Sequence, residues 1–242
     1  MRIAMQRPSP SLLAPLPMLL TALAVALWFN PGVTSRLQYD RSVLATGEWW
    51  RMLTCHWTHF SADQLAWDAG VFALLATICQ CRSPTRFLVC LILSAAAVSS
   101  AVWLFLLNLQ RYRGLSGIDS ALFTMLAVDL LRHHLGPEGR REIAQGIGIV
   151  LAMFIGKIAV EFIWETTVFV DSRTAGMVPV PLAHGVGAIV GLVCSGRNLL
   201  PQWPRQNHLR LIPSPGEDYA SRKVMCRVTR LAAPLAGRCE RR

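Results

Sequence analysis

Six apolar stretches, separated by shorter polar segments, constrain the fold of this chain more than any other feature of its sequence. They cover residues 12–29, 65–80, 87–107, 117–131, 143–163 and 181–195. A transmembrane helix needs about 20 mostly apolar residues, so several of these stretches are short for a full crossing. Helices are still the expected form, because backbone polar groups inside a bilayer must find their hydrogen bonds within the segment. We therefore expect an all-α, polytopic membrane protein in which six transmembrane helices form one bundle.

The charge distribution divides the chain into a membrane domain and a basic tail. Charged residues make up 16% of the sequence, compared with about 25% in soluble domains. Residues 197–242 hold ten Lys or Arg and three Asp or Glu, which is most of the excess positive charge. A basic segment directly after a membrane span is typical of the cytoplasmic side and of contact with anionic lipid headgroups. We predict a six-span domain over 1–196 and a disordered cytoplasmic tail over 197–242, with the bilayer rather than nucleic acid as the partner.

The first apolar stretch has two interpretations. Its Ala24-Val25-Ala26 segment is similar to the small-residue cleavage site of a signal peptide. The stretch is long for the apolar part of such a peptide, and it ends in Trp28-Phe29, which suits a membrane interface. We interpret it as an uncleaved span. Six spans and a cytoplasmic tail then place both termini in the cytoplasm.

The cysteines do not predict a metal site. Cys79 and Cys81 form a C-x-C pair with no second pair and no histidine nearby, whereas a structural zinc site needs four ligands. We interpret these cysteines as small membrane residues and expect neither a metal nor a nucleotide cofactor.

A serine and a histidine in two different apolar stretches form a candidate catalytic pair. Ser116 lies in a Gly-Leu-Ser-Gly segment (114–117) where a helix is predicted to begin, and His184 lies in the last stretch. Small residues recur at every fourth position beside both, which favours close helix packing; they are Gly117, Ala121, Ala183, Gly187 and Gly191. Close packing would let the imidazole accept the serine proton and let N–H groups of the helix start stabilise an oxyanion. A polar packing contact explains the same pattern equally well.

Other ionisable residues within the apolar stretches are expected to face the bundle interior, because charges in lipid are costly. They are Asp68, Asp119, Asp129, Lys157 and Glu161. We expect Asp129 to pair with Arg132 three residues later, and Lys157 to neutralise Glu161 four residues later. Gln64 and Asp68 are one turn apart, so they share a helix face.

Four motifs, in order along residues 45–195, resemble those of the rhomboid family of intramembrane serine proteases. They are Glu48-x-Trp50-Arg51, His59-Phe60-Ser61, Gly114-Leu115-Ser116-Gly117 and Ala183-His184-x-x-Gly187-x-x-x-Gly191. The resemblance implies a six-helix rhomboid-like fold with Ser116 as nucleophile and His184 as base. It also implies a structural role for Glu48, Trp50 and Arg51 in the first loop, and for Gly114, Ala183, Gly187 and Gly191.

The resemblance further implies support for an oxyanion from Leu115, Gly117, Gln64 and Asp68. Many rhomboids carry His-x-x-x-Asn where this chain has Gln64 and Asp68. A protonated Asp68 would donate to the oxyanion, whereas an ionised one would accept hydrogen bonds from groups such as the Trp57 or His56 side chains. Many members also carry an aromatic residue where Ser120 stands here.

The expected function is that of an intramembrane serine endopeptidase that cleaves transmembrane or membrane-anchored proteins through an acyl-enzyme. The approach to Ser116, together with Asp68, Lys157 and Glu161, resembles the rhombosortase branch, which processes C-terminal sorting tails of exported proteins. This implies a bacterial cytoplasmic membrane. Two alternatives remain: a catalytically inactive rhomboid-like protein that binds membrane proteins, and a proton-coupled transporter that uses Asp68, Lys157 and Glu161.

Overall fold

The computed structural model describes residues 15–164 and 180–196, so the predicted basic tail over 197–242 lies outside the described residues. The helices are α1 Leu16–Trp28, α2 Pro31–Leu37, α3 Arg41–Ala45, α4 Arg51–Thr54, α5 Ala62–Arg82, α6 Pro84–Phe105, α7 Ser116–His134, α8 Arg141–Trp164 and α9 Pro181–Cys194. A short 3-10 helix, Cys55–Trp57, follows α4. Two antiparallel two-residue strands, β1 Tyr39–Asp40 and β2 Arg111–Tyr112, join the first loop to the segment before α7.

The six predicted stretches correspond to the six longest helices of the described chain: α1, α5, α6, α7, α8 and α9. By length and composition, three of the described helices could cross a membrane by themselves: α5, α6 and α8. Helices α1 and α2 meet at 115° and add a fourth if they form one broken span, and α9 is a shorter apolar helix. The predicted all-α membrane bundle is therefore confirmed, and the chain is an integral multi-pass membrane protein.

Proline and serine determine where the central helices begin. Ser61 precedes α5, and its hydroxyl accepts a hydrogen bond from the backbone N–H of Gln64 at 3.1 Å, as an N-cap does. Ser83 lies between α5 and α6 with extended φ and ψ, because the following Pro84 disfavours the helical conformation at the residue before it. Pro84 then occupies the first turn of α6, where its missing N–H costs no helical bond.

Helix α7 lies at the centre of the bundle. Its Ile118 and Leu122 are fully buried together with Leu115, just before the helix, and with Phe72 of α5 and Phe87 of α6. Helix α1 adds Ala24 to the same core. The serine motif at the start of α7 is therefore attached to the buried core that α5, α6 and α7 share.

Helices α7 and α9 pack backbone to backbone along a line of small residues, which we call the glycine seam: Gly117, Ala121, Gly187 and Gly191. A Cβ atom at Gly187 would overlap the carbonyl oxygen of Gly117, and one at Gly191 would overlap that of Ala121. Only glycine allows this approach. The four-residue spacing in the sequence predicted it.

Helix α8 is attached to the bundle much more loosely. Ala144 and Glu161 are its only buried residues, whereas Met153, Ile155 and Ile163 are mostly exposed. An aromatic contact joins it to α7, with the Phe123 and Phe154 ring centroids 4.7 Å apart. An apolar face of this kind suits contact with lipid.

The first loop is fixed by Arg51, which is buried. Its Nε is 2.7 Å from Glu48 Oε2, and its Nη1 donates to the carbonyl oxygens of Ser35 at 2.9 Å and Gln38 at 3.2 Å. The neighbouring Trp50 is more than half exposed. These contacts hold the segment before β1 against α4.

The local ion pair predicted for Asp129 is wrong. Its carboxylate binds Arg86 of α6 instead, with Nη1 at 2.8 Å from Oδ2 and Nη2 at 2.9 Å from Oδ1. Arg132 donates to the carbonyl oxygen of Ser195 at 2.6 Å. A guanidinium from a neighbouring helix can face a carboxylate with both nitrogens, and this two-bond geometry is stronger than a single contact.

Candidate active site

Ser116 and His184 line one cavity of about 290 Å³ between α5, α7, α8 and α9. Apolar side chains from α5, α7 and α8 form much of its wall, among them Trp67, Val71 and Phe154. Its other polar or charged residues are Gln64, Asp68, Asp119, Ser120, Lys157 and Glu161. The structure thus brings together the two predicted catalytic residues with all but one of the ionisable residues predicted to face the bundle interior.

Ser116 is the first residue of α7, and a sharp turn at Gly114 leads into it. Gly114 has a φ of 124°, which side chains other than glycine rarely adopt. A Cβ atom there would also overlap the Gln64 side-chain amide and approach Asp68 Oδ2 to 3.0 Å. Both the conformation and the space at this position therefore require glycine.

Helix α5 holds the segment before the serine through two side chains. Gln64 Nε2 donates to the carbonyl oxygen of Arg113 at 3.1 Å, and its Oε1 accepts from the Phe60 N–H at 2.8 Å. Asp68 Oδ2 accepts from the Leu115 N–H at 3.0 Å. The Leu115 N–H, which we expected to support an oxyanion, is therefore used within the protein in this structure.

Gly117 and Gln64, which we also expected to support an oxyanion, have surroundings different from those of Leu115. Gly117 is in the first turn of α7, where N–H groups have no acceptor within the helix. The Gln64 amide has a second N–H besides the one given to Arg113. Among these groups, the Leu115 N–H is the one with an acceptor from another helix.

Two histidines of the first loop surround the same segment. His56 is fully buried, with Nδ1 at 3.2 Å from the carbonyl oxygen of Gly114. His59 Nε2 lies 3.5 Å from Asp68 Oδ2. The partners that we considered for an ionised Asp68 were His56 and Trp57; the structure places it instead with His59 and the Leu115 N–H.

The strand pair keeps this segment in place from the other side. Tyr39 of β1 pairs with Tyr112 of β2, and both side chains are buried. Burial raises the pKa of both hydroxyls, so both rings stay neutral at ordinary pH. A neutral, buried pair fixes the chain just before Gly114 without adding charge near the cavity.

His184 lies in the first turn of α9 and is held by α8. Its Nδ1 is 2.6 Å from Glu161 Oε2, and Lys157 Nζ lies 3.0 Å from the same oxygen and 3.2 Å from Nδ1. The predicted pair of Lys157 and Glu161 is present, but sequence reasoning missed its link to the histidine. The only signal was that two charges stand in an otherwise apolar helix, where charges usually serve a site.

Asp119 and Ser120 lie on the cavity side of α7, one turn after Ser116. Ser120 Oγ donates to the carbonyl oxygen of Ser116 at 2.8 Å. Asp119 is buried, and its Oδ1 has no hydrogen-bond partner among the described residues. The hydroxyl of Ser120 thus borders the cavity at the position where many rhomboids carry an aromatic residue.

A comparison with protein-family profiles matches residues 46–197 to the rhomboid domain. The matched region covers more than half of the chain and includes Ser116, Glu161 and His184. The chain is a rhomboid. A comparison with curated proteins gives no significant match.

Membership has direct consequences for the site of this rhomboid. The family is generally one of intramembrane serine proteases that act on membrane proteins within the bilayer. The cavity of the rhomboid contains a serine at a helix start and a histidine from another helix. Helix α1 of the rhomboid lies before the matched region.

Proposed function

We propose that this rhomboid is an intramembrane serine endopeptidase with Ser116 as nucleophile and His184 as general base. The observation that carries the proposal is that one cavity is lined by both side chains, which lie on two helices packed backbone to backbone. Such packing leaves little freedom for relative movement. Preorganised groups of this kind are what acyl transfer requires.

The proposed reaction follows from the chemistry of these groups. Ser116 Oγ attacks the carbonyl carbon of the scissile peptide while His184 takes the hydroxyl proton. The tetrahedral intermediate then collapses, the C–N bond breaks, and His184 gives the proton to the leaving amine. Water next attacks the acyl-enzyme, again with His184 as base, and releases the carboxylate product and free Ser116.

The developing oxyanion needs donors that are free in the resting protein. We assign this role to the Gly117 N–H at the start of α7 and to the second N–H of the Gln64 amide. Asp68 accepts from the Leu115 N–H, and an acceptor in that position supports the oxyanion indirectly, by holding the loop. Each good donor of this kind contributes about 10²- to 10³-fold in rate.

The substrate we propose is a transmembrane or membrane-anchored protein, including the C-terminal sorting tail of an exported protein. The largely apolar cavity wall suits a segment that leaves the bilayer with few charges. Both termini are proposed to be cytoplasmic, which opens Ser116 toward the extracytoplasmic side. A reporter fused after Arg242 should then behave as cytoplasmic, and export of the reporter would contradict this orientation.

Covalent labelling of the purified protein by a fluorophosphonate tests the catalytic proposal. Wild type is expected to become labelled at Ser116, as mapped by peptide mass spectrometry, and Ser116→Ala is expected to remain unlabelled. Ser120→Ala is the matched control, because it removes a neighbouring hydroxyl on the same helix and should remain labelled. Equal labelling of wild type and Ser116→Ala, or no labelling of folded wild type, would favour a non-catalytic membrane-protein binder.

A further inference from the structure

We propose that Glu161 is a positioning residue that makes the catalytic pair a triad, Ser116–His184–Glu161. The inference rests on the proposed function, because it concerns how the base of that reaction is held. It extends that function by adding a third residue, from a third helix, to the serine and histidine.

The geometry around His184 carries the inference. Glu161 is 1% exposed, and its Oε2 lies 2.6 Å from His184 Nδ1. A carboxylate so deeply buried in a membrane helix is costly unless hydrogen bonds stabilise it. Since Glu161 binds one ring nitrogen, the other, Nε2, is left to exchange a proton with Ser116.

The distances indicate which group donates to which. Both His184 Nδ1 and Lys157 Nζ lie within hydrogen-bond reach of Glu161 Oε2, at 2.6 and 3.0 Å. The two nitrogens are 3.2 Å apart. One carboxylate oxygen can accept from both a neutral imidazole N–H and an ammonium, whereas two donors cannot bind each other. Glu161 thus selects the tautomer that carries its proton on Nδ1, and Lys157 helps to keep Glu161 ionised.

Lys157 and Glu161 should act on His184 in opposite directions. The carboxylate favours a positive ring and so assists proton uptake from Ser116, whereas the ammonium disfavours it. Across the cavity, Asp119 on α7 and Asp68 on α5 are the other ionisable residues that line it. They are present in every variant below, so differences between variants report on Lys157 and Glu161.

The test measures the rate of fluorophosphonate labelling per folded protein as a function of pH. The variants are Glu161→Gln, Glu161→Asp and Lys157→Met, with Ser116→Ala as background. Glu161→Gln should lower the plateau rate by about 10²- to 10⁴-fold, because an amide can hold the ring in the wrong tautomer. It should also move the midpoint of the pH profile to lower pH, since a positive ring loses its counter-charge. Glu161→Asp retains the carboxylate and should recover part of the rate.

Lys157→Met probes the other charge of the pair on the same helix face. It should move the midpoint to higher pH, opposite to Glu161→Gln, because the ammonium that disfavours a positive ring is removed. A merely structural role for the pair would lower the amount of folded protein in both variants and leave rate per folded protein and midpoint unchanged.

A second measurement does not require activity. Nitrogen-15 NMR of protein labelled at histidine reports the tautomer of each ring, and loss of one signal in His184→Asn assigns the residue. The expected result is a proton on Nδ1 in wild type and a changed tautomer in Glu161→Gln or, if that variant does not fold, in Glu161→Asp.

The outcomes separate this inference from the proposed function. Wild-type labelling at Ser116, together with an unchanged rate and midpoint in Glu161→Gln, would overturn the triad alone. A proton on Nε2 of His184 in wild type would overturn it as well. Absence of labelling in folded wild type would overturn the proposed function and the triad with it.

Discussion

Two helices supply groups to the His184 side of the cavity, and they are attached in opposite ways. Helix α9 meets α7 along the glycine seam, where even a methyl group would overlap a backbone oxygen. Helix α8 contacts α7 through the Phe123–Phe154 ring pair and leaves most of its large apolar side chains exposed. His184 thus comes from a closely packed interface, and the carboxylate bound to it comes from a loosely packed helix.

Backbone packing therefore holds α9 in place, whereas polar contacts hold α8. Along the seam, backbone contact fixes position with no need for charged groups. On α8, polar contacts among Glu161, Lys157 and His184 fix the position of the helix instead. Glu161 and Lys157 face His184, while most of the rest of the helix faces outward. Polar bonds in a low-dielectric interior are strong enough for that role.

The largest effect is expected at Ser116 and His184, which lie on the two helices that the glycine seam joins. Ser116→Ala, His184→Ala and the double variant should each lose about 10⁴- to 10⁶-fold in cleavage rate and share one residual rate. If the two residues act as a unit, substituting the second one causes little further loss of cleavage rate. Peptide-bond cleavage of a model transmembrane substrate in proteoliposomes provides the measurement, and additive losses would contradict a common role.

The same glycine-to-alanine change should have opposite effects on the two helices. Gly187→Ala should destabilise the protein by about 1–3 kcal/mol, because its methyl group meets the Gly117 carbonyl. Gly146→Ala on α8 meets no atom within 4 Å and should be neutral or stabilising by up to about 1 kcal/mol. Unfolding in a denaturing detergent compares the two, and equal effects would remove the contrast between the helices.

Substitutions at Asp68 test whether a carboxylate contact holds the serine side of the cavity, as the Glu161 contact holds the histidine side. Asp68→Ala leaves the Leu115 N–H buried without its acceptor, which costs about 1–3 kcal/mol. Asp68→Asn keeps a carbonyl oxygen there and should retain most of the stability and the labelling rate per folded protein. A folded Asn variant that is not labelled would instead show that the charge itself is needed.

The smallest effect is expected at the ring pair that joins α8 to α7. Phe154→Leu loses the contact with Phe123 and should cost about 0.5–1.5 kcal/mol. Phe105→Leu, at an exposed position near the end of α6, is the control and should change little. A cost for Phe154→Leu as large as that of Gly187→Ala would mean that α8 is as firmly packed as α9.

The sequence alone determined the features that depend on local spacing. Six apolar stretches became six helices, because a chain in lipid must satisfy its backbone within each segment. The glycines at every fourth position predicted the seam, and the four-residue spacing of Lys157 and Glu161 predicted their ion pair. Each of these needs only the period of a helix.

The tertiary structure decided the polar contacts between residues far apart in sequence. Asp129 binds Arg86 of another helix rather than the nearby Arg132, and Asp68 accepts the N–H of Leu115, 47 residues away. His184 meets Glu161 across 23 residues. Helical periodicity states which face a side chain occupies, but not which neighbouring helix that face meets. The partner is chosen by how the whole bundle packs, and in this protein that choice sets the surroundings of both Ser116 and His184.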